Sequence, residues 1–121
     1  MVRIPVLATT TEEVGMFARS VSIRLKPNRV AEFTQLIEAE VLALLRTQKG
    51  FLDEITLVLP EGLQAVGISL WDNQQDANAY RRGAYPQVLK VLERVVGGTP
   101  EVHTFEVAHS TFHKIGARVA A

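Results

Sequence analysis

From Phe17 to Leu25 the apolar side chains Phe17, Val21, Ile23 and Leu25 alternate with Ala18, Ser20, Ser22 and Arg24. A period of two is the signature of a half-buried strand. After Pro27 and Asn28 the period changes, and Val30, Phe33, Ile37, Val41, Leu44 and Leu45 recur at steps of three and four, which predicts a long amphipathic helix. Gly50 stands where a left-handed helix cap is wanted and Lys49 lies near the carbonyl end of the helix dipole, so the helix is expected to stop there.

Phe51, Ile55, Leu57 and Leu59 place apolar groups on one face of a second strand, and Pro60-Glu61-Gly62 turns the chain into a third, Ala65 to Trp71. These two strands are expected to form a hairpin. Asp72 or Asn73 can cap a second helix that runs to about Arg82. Gly83 and Pro86 interrupt it before Val88, Leu89, Leu92, Val95 and Val96 resume the helical spacing, which predicts a broken helix. Gly97-Gly98-Thr99-Pro100 reads as its end, and the alternation from Val102 to Phe112 as a fourth strand.

The order β-α-β-β-α-β, with one tight hairpin and two helical crossovers, is that of an α+β ferredoxin-like domain. A four-stranded antiparallel sheet carries both helices on one face. The other face is open, and its expected side chains include Ala18, Ser20, Ser22, Thr56 and Val58, too apolar in part to stay fully wet. A second copy of the chain, covering that face as a homodimer and closing a dimeric α/β barrel, removes the exposure. The domain is expected over residues 16–115, with a loosely attached polar leader over 1–15 and a short tail over 116–121.

Composition narrows the chemistry. With 121 residues, 47% of them hydrophobic and 21% charged, the chain fits one soluble domain with a real core. Its 13 basic and 13 acidic residues cancel, and no run of Lys and Arg points to nucleic acid. The absence of cysteine excludes disulfides, thiolate metal ligands and cysteine nucleophiles. The apolar patch Ile4 to Ala8 is too short for a signal segment or a membrane span, so no membrane partner is expected and the cytoplasm is the expected compartment. No phosphate-binding loop, serine-hydrolase elbow or zinc-peptidase pattern occurs.

The stretch FARSVSIRLKPNRVAEF, the junction QKGFLDEI and the run GISLWDNQQDANAYRRGAYPQVLKVL together resemble the antibiotic biosynthesis monooxygenase-like superfamily, over about residues 16–114. The shared features are a Lys-Pro turn after strand one, a Gly-Phe pair opening strand two, and a strand three ending in Trp-Asp ahead of a helix that carries Tyr. The resemblance implies a ligand cavity between the sheet and the helices. It further implies, for members that are enzymes, cofactor-independent oxygenation of phenols or anthrone-like compounds, or degradation of haem. The haem-degrading pattern of an Asn on strand one, a Trp in helix two and a His ten residues on finds Ser20, Tyr80 and Leu89 or Lys90 here, so haem is not expected. The anthrone-type group of Asn, Trp, Tyr and Arg is matched in part by Trp71, by Tyr80 or Tyr85, and by Arg81 or Arg82, while Gly67 stands at the expected Asn.

One fold hosts many chemistries, so each residue is weighed on its own. Trp71, the only tryptophan, ends strand three and is either a cavity roof or plain core. Tyr80 and Tyr85 bracket the Gly83 break, which either aims their hydroxyls at a phenolic substrate or simply bends the helix over the sheet. Tyr80, Tyr85 and His109, the last as a base, form the candidate catalytic set, and Trp71, Ser20, Ser22, Phe33 and Arg81 the candidate binding set. His103, His109 and His113 are expected along strand four, with spacings of about 20 Å and about 13 Å at ~3.3 Å per residue, too far for one metal. Asp53, Glu54 and the other carboxylates read as solvated. The leading expectation is an oxygenase that uses neither metal nor cofactor on a small aromatic or electron-rich organic substrate. The alternative is a non-catalytic, small-molecule-binding or structural homodimer of the same fold.

Overall fold

A computed structural model describes residues 15–111 of the chain. It contains β1 (Phe17–Leu25), a helical run made of α1 (Val30–Leu36), a π-helical turn (Ile37–Val41) and α2 (Leu42–Arg46), then β2 (Phe51–Val58), β3 (Gln64–Trp71), α3 (Gln74–Arg82), α4 (Tyr85–Leu92) and β4 (Val96–Glu106). The strands form one antiparallel sheet in the order β2-β3-β1-β4, with the helices against one face. This is the ferredoxin-like α+β arrangement that the hydrophobic pattern predicts. Phe112, His113 and the expected tail, with nearly all of the leader, lie outside the described residues.

The first helix presents Phe33, Ile37, Val41 and Leu45 to the core, four buried residues at steps of four. In a regular α-helix each such step overshoots a full turn by about 40°. The wider π turn over Ile37–Val41 takes up part of that overshoot and keeps the stripe on the sheet. The expected break in the second helix is real: α3 ends at Gly83 and α4 starts at Tyr85 with Pro86 in its first turn. Of the two residues read as caps for α3 it is Asn73 that serves, its side-chain oxygen accepting the Asp76 N–H at 2.8 Å.

Two strands depart from expectation. In β2, Phe51 and Leu52 together oppose Trp71, because the register passes from Phe51↔Trp71 to Asp53↔Leu70. This bulge inverts the alternation beyond it. Phe51 stays on the helix side, whereas Ile55 and Leu57 turn to the outer face, where they are 47% and 48% exposed. Thr56 and Val58, expected on the outer face, lie on the helix side with Glu54. In β4 the strand starts at Val96, so Gly97 to Pro100 belongs to it instead of closing the helix before it. Between the pairs Ser22↔Glu101 and Arg24↔Gly97 the register shifts, and Gly98, Thr99 and Pro100 bow out of the ladder. Proline lacks the N–H a ladder needs and glycine accepts the φ of +75° at Gly98, which is why an edge strand carries this sequence.

The first helix ends at Arg46, with Thr47 in right-handed conformation at its C-terminus. Gly50 therefore does not cap it as expected and instead ties the start of β2 to the N-terminus of α3. Its φ is +82°, its carbonyl accepts the Asp72 N–H at 2.8 Å, and a Cβ placed on it would lie 2.6 Å from the Asp76 Cβ. Gly50→Ala is expected to cost at least ~2 kcal/mol, the left-handed penalty plus displacement of the α3 cap. Urea denaturation of the variant beside the wild type measures it.

Candidate functional site

Between the sheet and the helices lies a cavity of about 280 Å³. Phe33, Ile37 and Val41 from the first helix and Val88, Leu89 and Leu92 from α4 make an apolar ceiling and wall. The floor is different. There β1 contributes Arg19, β2 contributes Glu54 and Thr56, and β3 contributes Gly67 and Ser69, while Tyr80 and Tyr85 close one end. The bowed residues Gly98 to Pro100 of β4 form part of the rim, so the irregularity of that strand shapes the opening.

Arg19 is the central polar group. It shares the parity of Phe17, Val21 and Ile23, faces the helices, and is only 2% exposed. Its guanidinium lies 4.1 Å from the Tyr85 ring centroid and 5.8 Å from that of Tyr80. The electron-rich ring faces partly replace the lost water. Burial still lowers the arginine's pKa, an effect that the neighbouring Tyr85 and Tyr80 oppose. Behind Tyr80 the Trp71 ring stacks at 4.9 Å, Phe51 meets Trp71 edge-on at 5.6 Å, and the Trp71 indole N–H donates to the Ser69 hydroxyl at 2.8 Å. Each group is thus held by the next.

Glu54 is the second chemical feature. Its side chain enters the cavity from the bulged strand and accepts a 2.6 Å hydrogen bond from the Thr56 hydroxyl. Desolvation raises its pKa above the ordinary carboxylate value, with the Thr56 bond pulling the other way. The same desolvation raises Tyr80 strongly and Tyr85 less so, and Arg19 opposes both shifts. Both phenols are therefore neutral hydrogen-bond donors at neutral pH and cannot act as bases. Gly67 leaves the floor clear beside the carboxylate, since a Cβ there would stand 3.4 Å from Glu54 Oε2.

Of the residues singled out from the sequence, the cavity brings together Tyr80, Tyr85 and Phe33. Trp71 does not line it: fully buried, it packs behind Tyr80 as core. Ser20 lies on the outer face of the sheet beside Ile68 and His103, and Ser22 borders a separate pocket with Gly97 and Glu101. The alternation of β1 puts both serines on the side away from the cavity. Arg81 is exposed on α3. His109 is exposed and three residues past the end of β4, so neither the base role nor the strand spacing assumed for it fits the cavity. Arg19 and Glu54 were missed. A charge at a core-parity position within an apolar stripe was the visible signal for Arg19, whereas Glu54 depends on the β2 bulge and had none.

No family model matches the sequence, and no curated protein matches it either. Solved structures do match. A "putative antibiotic biosynthesis monooxygenase" from Bordetella bronchiseptica superposes with a TM-score of 0.69 at 19% identity, over 78% of this chain and 99% of that one. SnoaB, a cofactor-independent oxygenase from Streptomyces nogalater, gives 0.64 at 19% identity over 83% and 99%. A protein of unknown function from Nitrosomonas europaea gives 0.68 at 15% identity over 82% and 95%.

The chain has the antibiotic biosynthesis monooxygenase-like fold. At these identities the likeness concerns the fold, and the site must be argued from its own residues. Among the described residues no helix is long and apolar enough to cross a membrane, and no three His, Cys, Asp or Glu side chains gather as a metal site.

A raised carboxyl pKa has a consequence for stability. The folded state favours protonated Glu54, so this group stabilises the fold fully below its unfolded pKa and loses that contribution as pH rises through the folded value. Glu54→Gln removes the ionisation cost. The variant is expected to melt above the wild type at pH 8, with the difference vanishing near pH 4, in melting curves followed by circular dichroism across that range.

Proposed function

We propose that this chain is a cofactor-independent oxygenase of a small aromatic or electron-rich organic substrate, with the cavity as its active site. The observation that carries the reading is the pairing, in one largely apolar cavity, of a carboxylate with raised proton affinity, Glu54, and a permanent cation, Arg19. A desolvated carboxylate is a stronger base than one in water. In a cavity whose floor also carries a cation able to stabilise developing negative charge, it suits removal of a proton from an activated carbon. The fold shared with SnoaB, an oxygenase of the cofactor-independent kind, supports the same reading.

In this reading Glu54 takes a proton from a ring CH₂ and leaves a carbanion delocalised onto the substrate oxygen as a phenolate. The carbanion passes one electron to dioxygen. The resulting substrate radical and superoxide join through a new C–O bond, and the peroxide takes up a proton to become a hydroperoxide. Loss of water breaks the O–O bond and leaves a carbonyl, so that R₂CH₂ + O₂ gives R₂CO + H₂O. Tyr80 and Tyr85, as neutral phenols, orient the substrate oxygen and supply hydrogen bonds to the peroxide. Exclusion of water by the apolar ceiling protects the carbanion from simple reprotonation.

Oxygen uptake with a panel of anthrones, hydroquinones and catechols tests this. At least one compound is expected to be turned over, with Glu54→Gln lowering kcat by roughly 100-fold or more and Tyr80→Phe by about 10-fold. No uptake with any of them would refute the oxygenase reading.

The same proposal includes a homodimer closed over the outer sheet face, where Ile55, Leu57 and Phe105 are 47%, 48% and 54% exposed and Ile68 and Val66 continue the apolar surface. Such a contiguous patch favours a partner with the same patch. Light scattering is expected to give twice the chain mass for the wild type. The I55K/L57K double variant, changed only at exposed positions, is expected to fold and give the single-chain mass.

A further inference from the structure

Arg19 poses a charge problem that the described residues do not solve. It is 2% exposed, its Nε makes no hydrogen bond, and the ion pairs among the described residues join Glu32 to Arg29 and Arg94 at the surface. The carboxyl groups on the cavity lining, Glu54 and Glu93, form no salt bridge with it. Its neighbours are the rings of two neutral phenols, Tyr80 and Tyr85, and the Tyr85 hydroxyl, all of them uncharged. Cation–π contacts offset only part of the cost of burying a guanidinium, which stays charged across the whole range of physiological pH. A buried cation with no counter-ion among the described residues, set in the floor of a cavity, is an arrangement that an anionic ligand completes.

We propose that the natural ligand of this cavity is an organic acid, whose carboxylate pairs with Arg19 and whose planar apolar body, of one or two rings, lies under the Phe33, Val88 and Leu92 wall. The planar guanidinium matches a carboxylate in shape and donor pattern. The cavity volume of about 280 Å³ sits at the small end of the range for ligand sites, which suits a body of one or two rings. The inference rests on the reading of the cavity as a substrate site and narrows its substrate class. Glu54 forms no ion pair with the cation, and its carboxylate accepts from the Thr56 hydroxyl instead.

Isothermal titration with 2-naphthoate and its uncharged isostere 2-naphthamide tests the inference on the wild type alone. Naphthoate is expected to bind roughly 10- to 100-fold more tightly than the amide. Arg19→Gln is expected to abolish that preference, the two probes then binding with similar affinity, and Arg19→Lys to restore part of it. Equal affinity of the wild type for the two probes would overturn the organic-acid inference while leaving the oxygenase reading intact. Selective naphthoate binding by a protein that consumes no oxygen would support the organic-acid inference and remove the oxygenase. Binding of neither probe would overturn the inference together with its premise.

Discussion

A single fixed charge on the wrong side of a strand organises this molecule. Arg19 faces the helices from the middle of β1, at a position where Phe17, Val21 and Ile23 would otherwise make an unbroken apolar stripe. A guanidinium cannot shed its charge to suit a dry site, so the surroundings adapt. Tyr85 and Tyr80 turn ring faces toward it, Trp71 fixes Tyr80 by stacking, and Ser69 fixes the Trp71 indole. The aromatic ladder of Phe51 and Trp71 backs Tyr80 and Tyr85, which form the end wall of the cavity and support its cation. Packing and function are therefore hard to separate here: loosening Trp71 would shift the phenol that shields the charge.

The cavity owes its shape to backbone irregularity more than to composition. The bulge at Phe51 and Leu52 brings Glu54 and Thr56 under the helices. The bowed segment of β4 opens a rim that a straight ladder would have closed. The π turn keeps the first helix's apolar stripe in contact along its length. Bulges and wide helical turns recur beside functional sites because they re-aim side chains without changing the fold around them. The β2 bulge has a second effect, since the inversion that delivers Glu54 to the cavity also delivers Ile55 and Leu57 to the outer face.

Glu32 binds Arg29 within its own helix and Arg94 just beyond α4, tying together the two elements that form the cavity ceiling. The pairing lowers the Glu32 pKa, chiefly through the hydrogen bond from Arg94. On the protein surface such a link adds little to stability.

The element order, the hairpin, the Gly83 break and the apolar stripe of the first helix were legible in the sequence. Each is decided locally, by a period of two or of about 3.6, or by a residue whose backbone freedom is unusual. The fold class follows from their order. The sequence did not reveal which face Ile55 and Glu54 occupy, because one extra residue in a strand inverts every later side chain and leaves no mark on composition. Nor did it place the start of β4, where Gly-Gly-Thr-Pro has the chemistry of a terminator and only pairing with β1 makes it a strand. Tyr80 and Tyr85 could be picked out beside a helix break, yet their partner Arg19 comes from 61 residues before Tyr80 (80 − 19) and meets them only when α3 is laid across the sheet. Local periodicity determined the fold of this protein; long-range pairing and strand register, which no local pattern encodes, decided the site.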